Sequence, residues 1–355
     1  MKVISDERKK PPKALREKGD SMKILVIRLS SIGDIVLTQS VCAALAAHMP
    51  DAELHYLTKS AFMPLVESFG LPITVHRWET LQQAGRLFAF GRRYRFDLVI
   101  DLHNKFNTFL VKMLVMGKRT VTYDKRHFLR RRIVRHKTAE TIHSTVDLYF
   151  SALRKAGITV PVSSPRLIAD SATSEELEKL AALKHEGIIL IGVFPGAQHA
   201  TKQYPVAQLA EALNLMAKEY SCRFAVLGSP GEQHLAQELI VATDASITDF
   251  CGAFSLAQLV PAIQSVDVVV SNDSGPMHIA AALHKPQIAA FGATHPALGF
   301  APQNDRAIVL CASLPCQPCS LHGQESCPRQ HFNCMRKLSA RHFSSALGKI
   351  LGFLQ

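Results

Sequence analysis

Short, continuous apolar runs alternate with segments of helical periodicity along most of this chain. Strand-like runs lie at Ile24–Ile27, Glu53–Leu57, Leu98–Leu102, Ile188–Val193, Arg223–Leu227, Asp267–Ser271 and Gln287–Phe291. Helix-like segments include Val36–His48, Thr173–Lys184, Pro205–Glu219, His234–Thr243, Leu256–Ser265 and Met277–Leu283. Apolar strands interleaved with helices are the signature of βαβ units, so the expected class is α/β with parallel sheets. A chain of 355 residues exceeds what one small core holds and points to two domains. The Pro- and Ser-rich stretch "TVPVSSPRLIADSAT" (Thr159 to Thr173) marks the join. The expected division is a charged tail at 1–21, a first domain at 22–165, a linker at 166–186 and a second domain at 187–337. An amphipathic helix at 338–355 follows, with Phe343, Leu347, Ile350, Leu351 and Leu354 at helical spacing.

Ligands of open parallel sheets sit beyond the carboxyl ends of the strands. Four loops at such ends carry chemistry. The first, "RLSSIGDIVL", contains Ser30, Ser31, Gly33 and Asp34. Gly33 permits a tight turn and a close approach of backbone. Asp34 is either a first-turn acid serving the helix dipole or a functional carboxylate. The second loop runs from Phe194 through Pro195, Gly196 and Ala197 to Lys202, just before a helix near Pro205. A lysine is poorly placed there for the dipole, which suggests an anion beside it; a solvent-facing lysine is the plainer alternative. The third, "LGSPGEQH", offers Glu232 either to a ribose or simply to its own helix start. The fourth is "SNDSGPMHIAAAL", Ser271 to Leu283. Its Asp273, Ser274 and Gly275 precede a helix, so free N–H groups and the dipole converge where a phosphate fits. His278, one turn in, reads either as a packed histidine or as a ligand to phosphate or sugar.

The net charge is +12, from 41 basic and 29 acidic residues, which favours an acidic partner. Nine Lys or Arg and a single acid fall between Lys118 and Lys137. This run is either a solvated face or an anion-docking surface built on Lys125, Arg126, Arg130, Arg131 and Arg132, arginine being the better phosphate grip. No zinc finger, helix-turn-helix pattern or RNP-like motif is present, so nucleic acid is disfavoured. Also absent are a P-loop, G-x-G-x-x-G, G-x-S-x-G and H-E-x-x-H. No run reaches the roughly 18 apolar residues of a membrane span. The tail lacks the apolar core of an export signal, Met22 offers an alternative start, and the expected location is the cytoplasm.

Cys316, Cys319, Cys327 and Cys334 fall within 19 residues, with His322 and His331 among them. The spacing suits a structural tetrahedral thiolate site, zinc before iron–sulfur; free thiols are the alternative, and disulfides are disfavoured in cytosol. Cys42, Cys222, Cys251 and Cys311 read as small core residues.

Taken in order, the four loops resemble the ADP-heptose:lipopolysaccharide heptosyltransferases, glycosyltransferase family 9, from about Met22 to Lys337. "SSIGDIVLT" is similar to the family's first loop. "PGA" followed by Lys202-Gln203-Tyr204-Pro205 is similar to the second, with Tyr204 where Trp is usual. "SNDSGPMHIAAAL" followed by "FGATHP" (Phe291 to Pro296) is the most specific part. The resemblance implies the GT-B fold, two Rossmann-like domains facing across a central cleft. It implies an acceptor-binding first domain and a nucleotide-sugar-binding second one. The implied reaction moves heptose, with inversion, from ADP-L-glycero-D-manno-heptose to the Kdo/heptose–lipid A inner core of lipopolysaccharide, with no catalytic cofactor. Asp34 would then be the general base, and Lys202 with the Ser274–Gly275 helix start would stabilise the departing diphosphate. Glu232 would hold the ribose, and Asp273 would lie near heptose or diphosphate. Ser31, Gly33, Gly196, Ala197, Thr201, Met277 and His278 would complete the substrate contacts. The basic run would dock the protein, without insertion, on an anionic membrane at the inner face of the bacterial inner membrane. The competing readings are a member with a protein acceptor or another nucleotide-sugar, a non-catalytic nucleotide-sugar-binding protein, and an epimerase of the same fold.

Overall fold

The structure, a computed structural model, describes residues 21–79, 84–169 and 173–352. All of the expected tail except Ser21 lies outside the described residues, as do 170–172 of the linker and 353–355 of the last helix.

The first domain runs β1 (Lys23–Ile27), α1 (Ile32–His48), β2 (Glu53–Thr58), α2 (Met63–Glu67), β3 (Ile73–Arg77), α3 (Ala84–Tyr94), β4 (Leu98–Asp101), α4 (Phe106–Val115), β5 (Arg119–Thr122), α5 (His127–His136) and α6 (Thr145–Lys155). Its strands are all parallel in the order β3-β2-β1-β4-β5. After α7 (Glu175–Ala182) the second domain follows: β6 (Ile189–Phe194), α8 (Val206–Glu219), β7 (Cys222–Gly228), α9 (Gln233–Ala242), β8 (Ile247–Cys251), α10 (Leu256–Ser265), β9 (Val268–Asn272), α11 (Gly275–Ala282), β10 (Gln287–Phe291), β11 (Ala307–Cys311), α12 (Asn333–Arg336) and α13 (Ala340–Gly352). Its parallel sheet has the order β11-β10-β9-β6-β7-β8. Counted within each domain, both sheets reverse direction between their first and fourth strands. Such switch points, β1/β4 and β6/β9, open a crevice at the carboxyl edge.

The central strands are apolar because both faces are covered. β9 and β10 are buried at every position. Helix α1 is buried on nearly every side, with Ile35, Val36, Leu37, Val41, Cys42 and Leu45 all in the core. It packs against α6, α2 and, from the other domain, α11. The segment 166–168 stitches the halves together: Leu167 N donates to Ala282 O (3.0 Å), Ile168 N to Ser68 O (2.8 Å) and Arg166 N to Gln39 Oε1 (2.8 Å). Helix α7 falls inside the stretch expected as linker and packs on α10. Helix α13 buries Phe343, Leu347 and Ile350 against α8, β10 and β11, as its periodicity predicts.

Candidate active site between the two domains

Asp34 lies in the first turn of α1, which begins at Ile32, four residues before the start at Val36 that the hydrophobic pattern suggests. It does more than face the dipole. Its Oδ2 forms an ion pair with Arg28 and accepts from Ser31 Oγ (3.0 Å), and its Oδ1 accepts from the Tyr149 hydroxyl (3.0 Å). Arg28 is itself buried and pinned, donating to Ser30 O and Leu102 O (both 2.6 Å), with its guanidinium 5.7 Å from the centre of the Tyr149 ring. The two loops of the first switch point, after β1 and after β4, are thus tied by one arginine. Burial alone would raise the Asp34 pKa; the Arg28 charge and the Tyr149 and Ser31 hydrogen bonds outweigh it and lower the value to about 2. Burial pushes the Tyr149 phenol well above its ordinary range, so it remains a donor. Neither Arg28 nor Tyr149 emerges from the sequence pattern, because Tyr149 is 115 residues from Asp34 and carries no local signal.

The N-termini of α1 and α11 meet across the domain seam. Any side chain at Gly33 would overlap the His278 ring, and a Cβ on Gly275 would lie 2.8 Å from Ile32 Cγ2. Both glycines make room for the opposite domain. His278 is buried, which holds its pKa below the ordinary histidine value despite the nearby Asp273 and Asp34 charges. His278 Nδ1 and Ser274 Oγ are both buried at this helix start without a hydrogen-bond partner among the described residues. Such atoms suit an oxygen-rich ligand at the amino end of α11.

The second switch point brings the second and fourth loops together through Asn272. Its Nδ2 donates to Pro195 O (2.8 Å) and Gly196 O (3.3 Å), and its Oδ1 accepts from Tyr204 N (3.0 Å). Asn272 is therefore a staple that the sequence reading missed. Lys202 Nζ lies 2.9 Å from Asp273 Oδ2, which also accepts from Thr294 Oγ1 (2.6 Å). That pairing aims a cation at the cleft and leaves it further donor capacity. Glu232 closes its own helix start, its Oε2 accepting from Ser229 N (2.6 Å) and Oγ (2.7 Å). Its other oxygen sits over Gly196, where a Cβ would collide with it. Ala197 O accepts from Gln203 Nε2 (2.8 Å) within the same loop. Two expected contacts are corrected. Met277 is in the core beside Ala289 and Phe291, and the Thr201 hydroxyl is buried and bonded to the backbone of Gln324, so neither side chain reaches the cleft. Tyr204, standing where Trp is usual, is a core residue, its hydroxyl on Leu338 O and its ring against Phe343.

Comparison with known proteins decides what this cleft belongs to. The family model for glycosyltransferase family 9 (heptosyltransferase) matches residues 86–328, well over half the chain. The chain belongs to glycosyltransferase family 9. It is 28% identical over 315 residues to lipooligosaccharide heptosyltransferase 2 of Haemophilus influenzae, spanning 81% of this chain and 88% of that one. It is 26% identical over 303 residues to lipopolysaccharide heptosyltransferase 1 of Campylobacter coli, spanning 77% and 84%. Among solved structures it resembles E. coli ADP-heptose LPS heptosyltransferase II, with a TM-score of 0.72, 22% identity, and coverage of 93% of this chain and 98% of that one. The fold is GT-B, and the protein is a glycosyltransferase.

In this family 9 enzyme the basic run splits into β5 and α5, and its charges part company. Arg130 is buried, donates to Thr145 Oγ1 (2.8 Å) and Leu298 O (3.3 Å), and stacks 4.7 Å from the Phe300 ring. It is an interdomain tie, which corrects its assignment to a docking surface. Arg126 pairs with Asp124 (3.2 Å) and Arg132 with Glu140, both exposed, and Arg131 is exposed on α5. Lys125 turns inward, donating to Asn104 O (2.5 Å). Burial, then the Arg28 and Lys105 charges, lower its pKa to about 8. His322, from the cysteine-rich loop, is also held below its ordinary value, by burial first; the charges of Asp34, Lys105, Lys202 and Arg130 all reach it. The Asp34 charge thus reaches Lys125 and Arg130 of its own domain and His278 and His322 of the other.

The cysteines that the spacing groups as a thiolate site lie near one another, the charges of Cys319, Cys327 and Cys316 all reaching Cys334. No group of three or more His, Cys, Asp or Glu among the described residues is placed to hold a metal ion. Cys319 Sγ turns to Cys316 O (3.0 Å), and Cys316 Sγ faces His331 Nε2 at 3.9 Å. Cys334 is buried on α12, where burial pushes its thiol up to about 12, and Cys327 lies on the intervening loop.

Proposed function

We propose that this glycosyltransferase transfers heptose from ADP-L-glycero-D-manno-heptose to the inner core of lipopolysaccharide, with inversion and with Asp34 as the general base. The observation that carries this reading is the placing of Asp34 across the domain seam from Lys202 and the start of α11. The names of the relatives support the donor and acceptor classes. An acceptor hydroxyl attacks the anomeric carbon. The new C–O bond forms as the bond to the diphosphate oxygen breaks, the proton passes to Asp34, and the electron pair leaves with ADP. Charge growing on the diphosphate meets Lys202 and the free N–H groups of α11. With a pKa about 2, Asp34 is ionised at every physiological pH, so it is always ready to accept. It is a weak base in the resting enzyme, so the proton moves late, once the attacking oxygen has lost electron density.

The cationic cleft favours an acceptor rich in carboxylates or phosphates over a neutral hydroxyl on a protein. No helix among the described residues is long and apolar enough to cross a membrane. The reading is of a cytoplasmic enzyme that meets a lipid-borne acceptor at an anionic membrane surface. Asp34→Ala should lower kcat by about 10²–10⁴-fold while calorimetric binding of ADP-heptose persists. Lys202→Ala should weaken that binding. Near-normal turnover of Asp34→Ala would remove the base assignment, and preference for a UDP-sugar would remove the heptose donor.

A further inference from the structure

Helix α4 departs from the pattern of a surface helix. Thr108, Val111 and Val115 form its buried face. The opposite face should be polar. It instead carries Phe106, Phe109 and Met113, with Met116 at the C-cap, all 53–73% exposed. At 3.6 residues per turn these four fall within an arc of about 80°. Phe128, in the first turn of α5, is 86% exposed. Nine large hydrophobic side chains are exposed among the described residues, and five of them belong to these two helices. That clustering is what separates a binding patch from ordinary scatter.

The two helices begin side by side. Lys125 Nζ, just before α5, donates to Asn104 O, just before α4, and Asn104 Nδ2 donates to Tyr123 O (3.3 Å). Exposed cations flank the apolar stripe: Lys105 ahead of α4, and Arg126, Arg131 and Arg132 on or beside α5. Both helices start at the carboxyl edge of the first sheet, next to the Arg28–Leu102 tie that anchors the Asp34 loop.

We propose that α4 inserts its phenylalanine and methionine side chains into the headgroup–acyl boundary of an anionic bilayer, with the cations of the α5 region at the level of the lipid phosphates. An apolar face rimmed by arginine and lysine matches that surface, which offers hydrocarbon beneath negative charge. The cationic rim argues against a second copy of a chain whose net charge is +12. The proposal goes beyond electrostatic docking, because side chains enter the hydrocarbon. It rests on the acceptor being lipid-borne, and it sets the acceptor side of the cleft beside the membrane.

The test uses full-length protein and vesicles of phosphatidylethanolamine and phosphatidylglycerol holding neither donor nor acceptor, so its failure is distinct from a failure of the transfer reading. Phe109→Ser combined with Met113→Ser changes only exposed positions. It should weaken vesicle binding by about tenfold or more and remove the binding that persists at high salt. Phe109→Trp gives a depth probe, since the chain's only tryptophan, Trp78, is buried and the wild type supplies the baseline. Its emission should be quenched by lipids brominated on the acyl chain. Unquenched emission, or binding abolished by salt in the wild type, would overturn insertion. A wild-type dimer converted to monomer by the double substitution would reassign the face to self-association.

Discussion

At the scale of single residues, Asp34 is defined less by its own loop than by Arg28. The guanidinium is what keeps a partly buried carboxylate ionised. The depressed pKa also sets a sign for stability: the pair's contribution is present above the ordinary carboxylate value and is lost only as pH falls toward about 2. Arg28→Gln removes the charge and leaves the burial, so the Asp34 pKa should rise above its ordinary range. The acid limb of kcat should then move up toward neutral pH, with overall turnover reduced and a stability loss of about 3 kcal/mol, as for breaking a buried pair. A kcat–pH profile on the folded variant tests this. An acid limb that stays where the wild type has it would show that Arg28 does not tune the base. This pairing is illegible in sequence, where Arg28 is merely the residue after a strand.

At the scale of elements, what the sequence reveals follows burial. The interior strands β1, β4, β6, β7, β9 and β10 carry apolar runs and are legible, as is interior β2, "ELHYLT", with Leu, Tyr and Leu among its polar residues. The strands that escape notice are β3, β5, β8 and β11, and these are the outermost strands of the two sheets. Half-exposed edge strands lack a continuous run, as in β5, "RTVT", and β8, "ITDFC"; β11, "AIVLC", is the exception, a continuous apolar run that the sequence reading missed. The stretch 103–158, of which the sequence reading singles out only the basic run at 118–137, holds three helices that go unread for the same reason of mixed exposure. The loops of the site are legible as loops, since Gly, Pro, Ser and Asp cluster there; which loop faces which is not, because it depends on the other domain. Gly33 makes the point. Gly33→Ala places a methyl group against the His278 ring, so α1 and α11 must separate or the ring must turn. Because the seam sets the distance between Asp34 and the donor side, kcat should fall by about tenfold or more while ADP-heptose still binds, by the sensitivity of transfer to small misplacement. Unchanged kcat would show that His278 turns aside freely and that the seam does not fix the geometry. Gly33→Ala combined with His278→Ala should recover part of the loss if the overlap is its cause.

At the scale of the whole molecule, the two domains are held by ties that also shape the cleft. Ile142 N donates to Ala297 O and Thr145 N to Gly299 O (both 2.8 Å), beside the buried Arg130. The positive-φ Gly299 lets the second domain's chain turn against Ile142 and Thr145. Closing the halves this way brings Asp34, Lys105 and Arg130 of one domain within electrostatic reach of His322 of the other. Lys125 lies among cations of its own domain, and its lowered pKa comes from burial first and then from the Arg28 and Lys105 charges. Burial and its cationic neighbours hold Lys125 at about 8, so in the free enzyme near that pH it is roughly half protonated. An anionic acceptor bound among these cations must favour the charged form and raise that pKa. Binding of a deacylated, Kdo-bearing inner-core oligosaccharide should therefore take up protons near pH 8, and affinity should fall as pH rises further. Calorimetry in two buffers of different ionisation enthalpy reads the uptake directly, as a difference in apparent binding heat. Lys125→Met should abolish most of the uptake and lower affinity, while Arg132→Met, whose side chain is exposed and paired with Glu140, should leave the uptake unchanged. Equal heats in the two buffers for the wild type would mean that the acceptor's charges are met elsewhere, and that Lys125 is buried for the fold and not for the ligand.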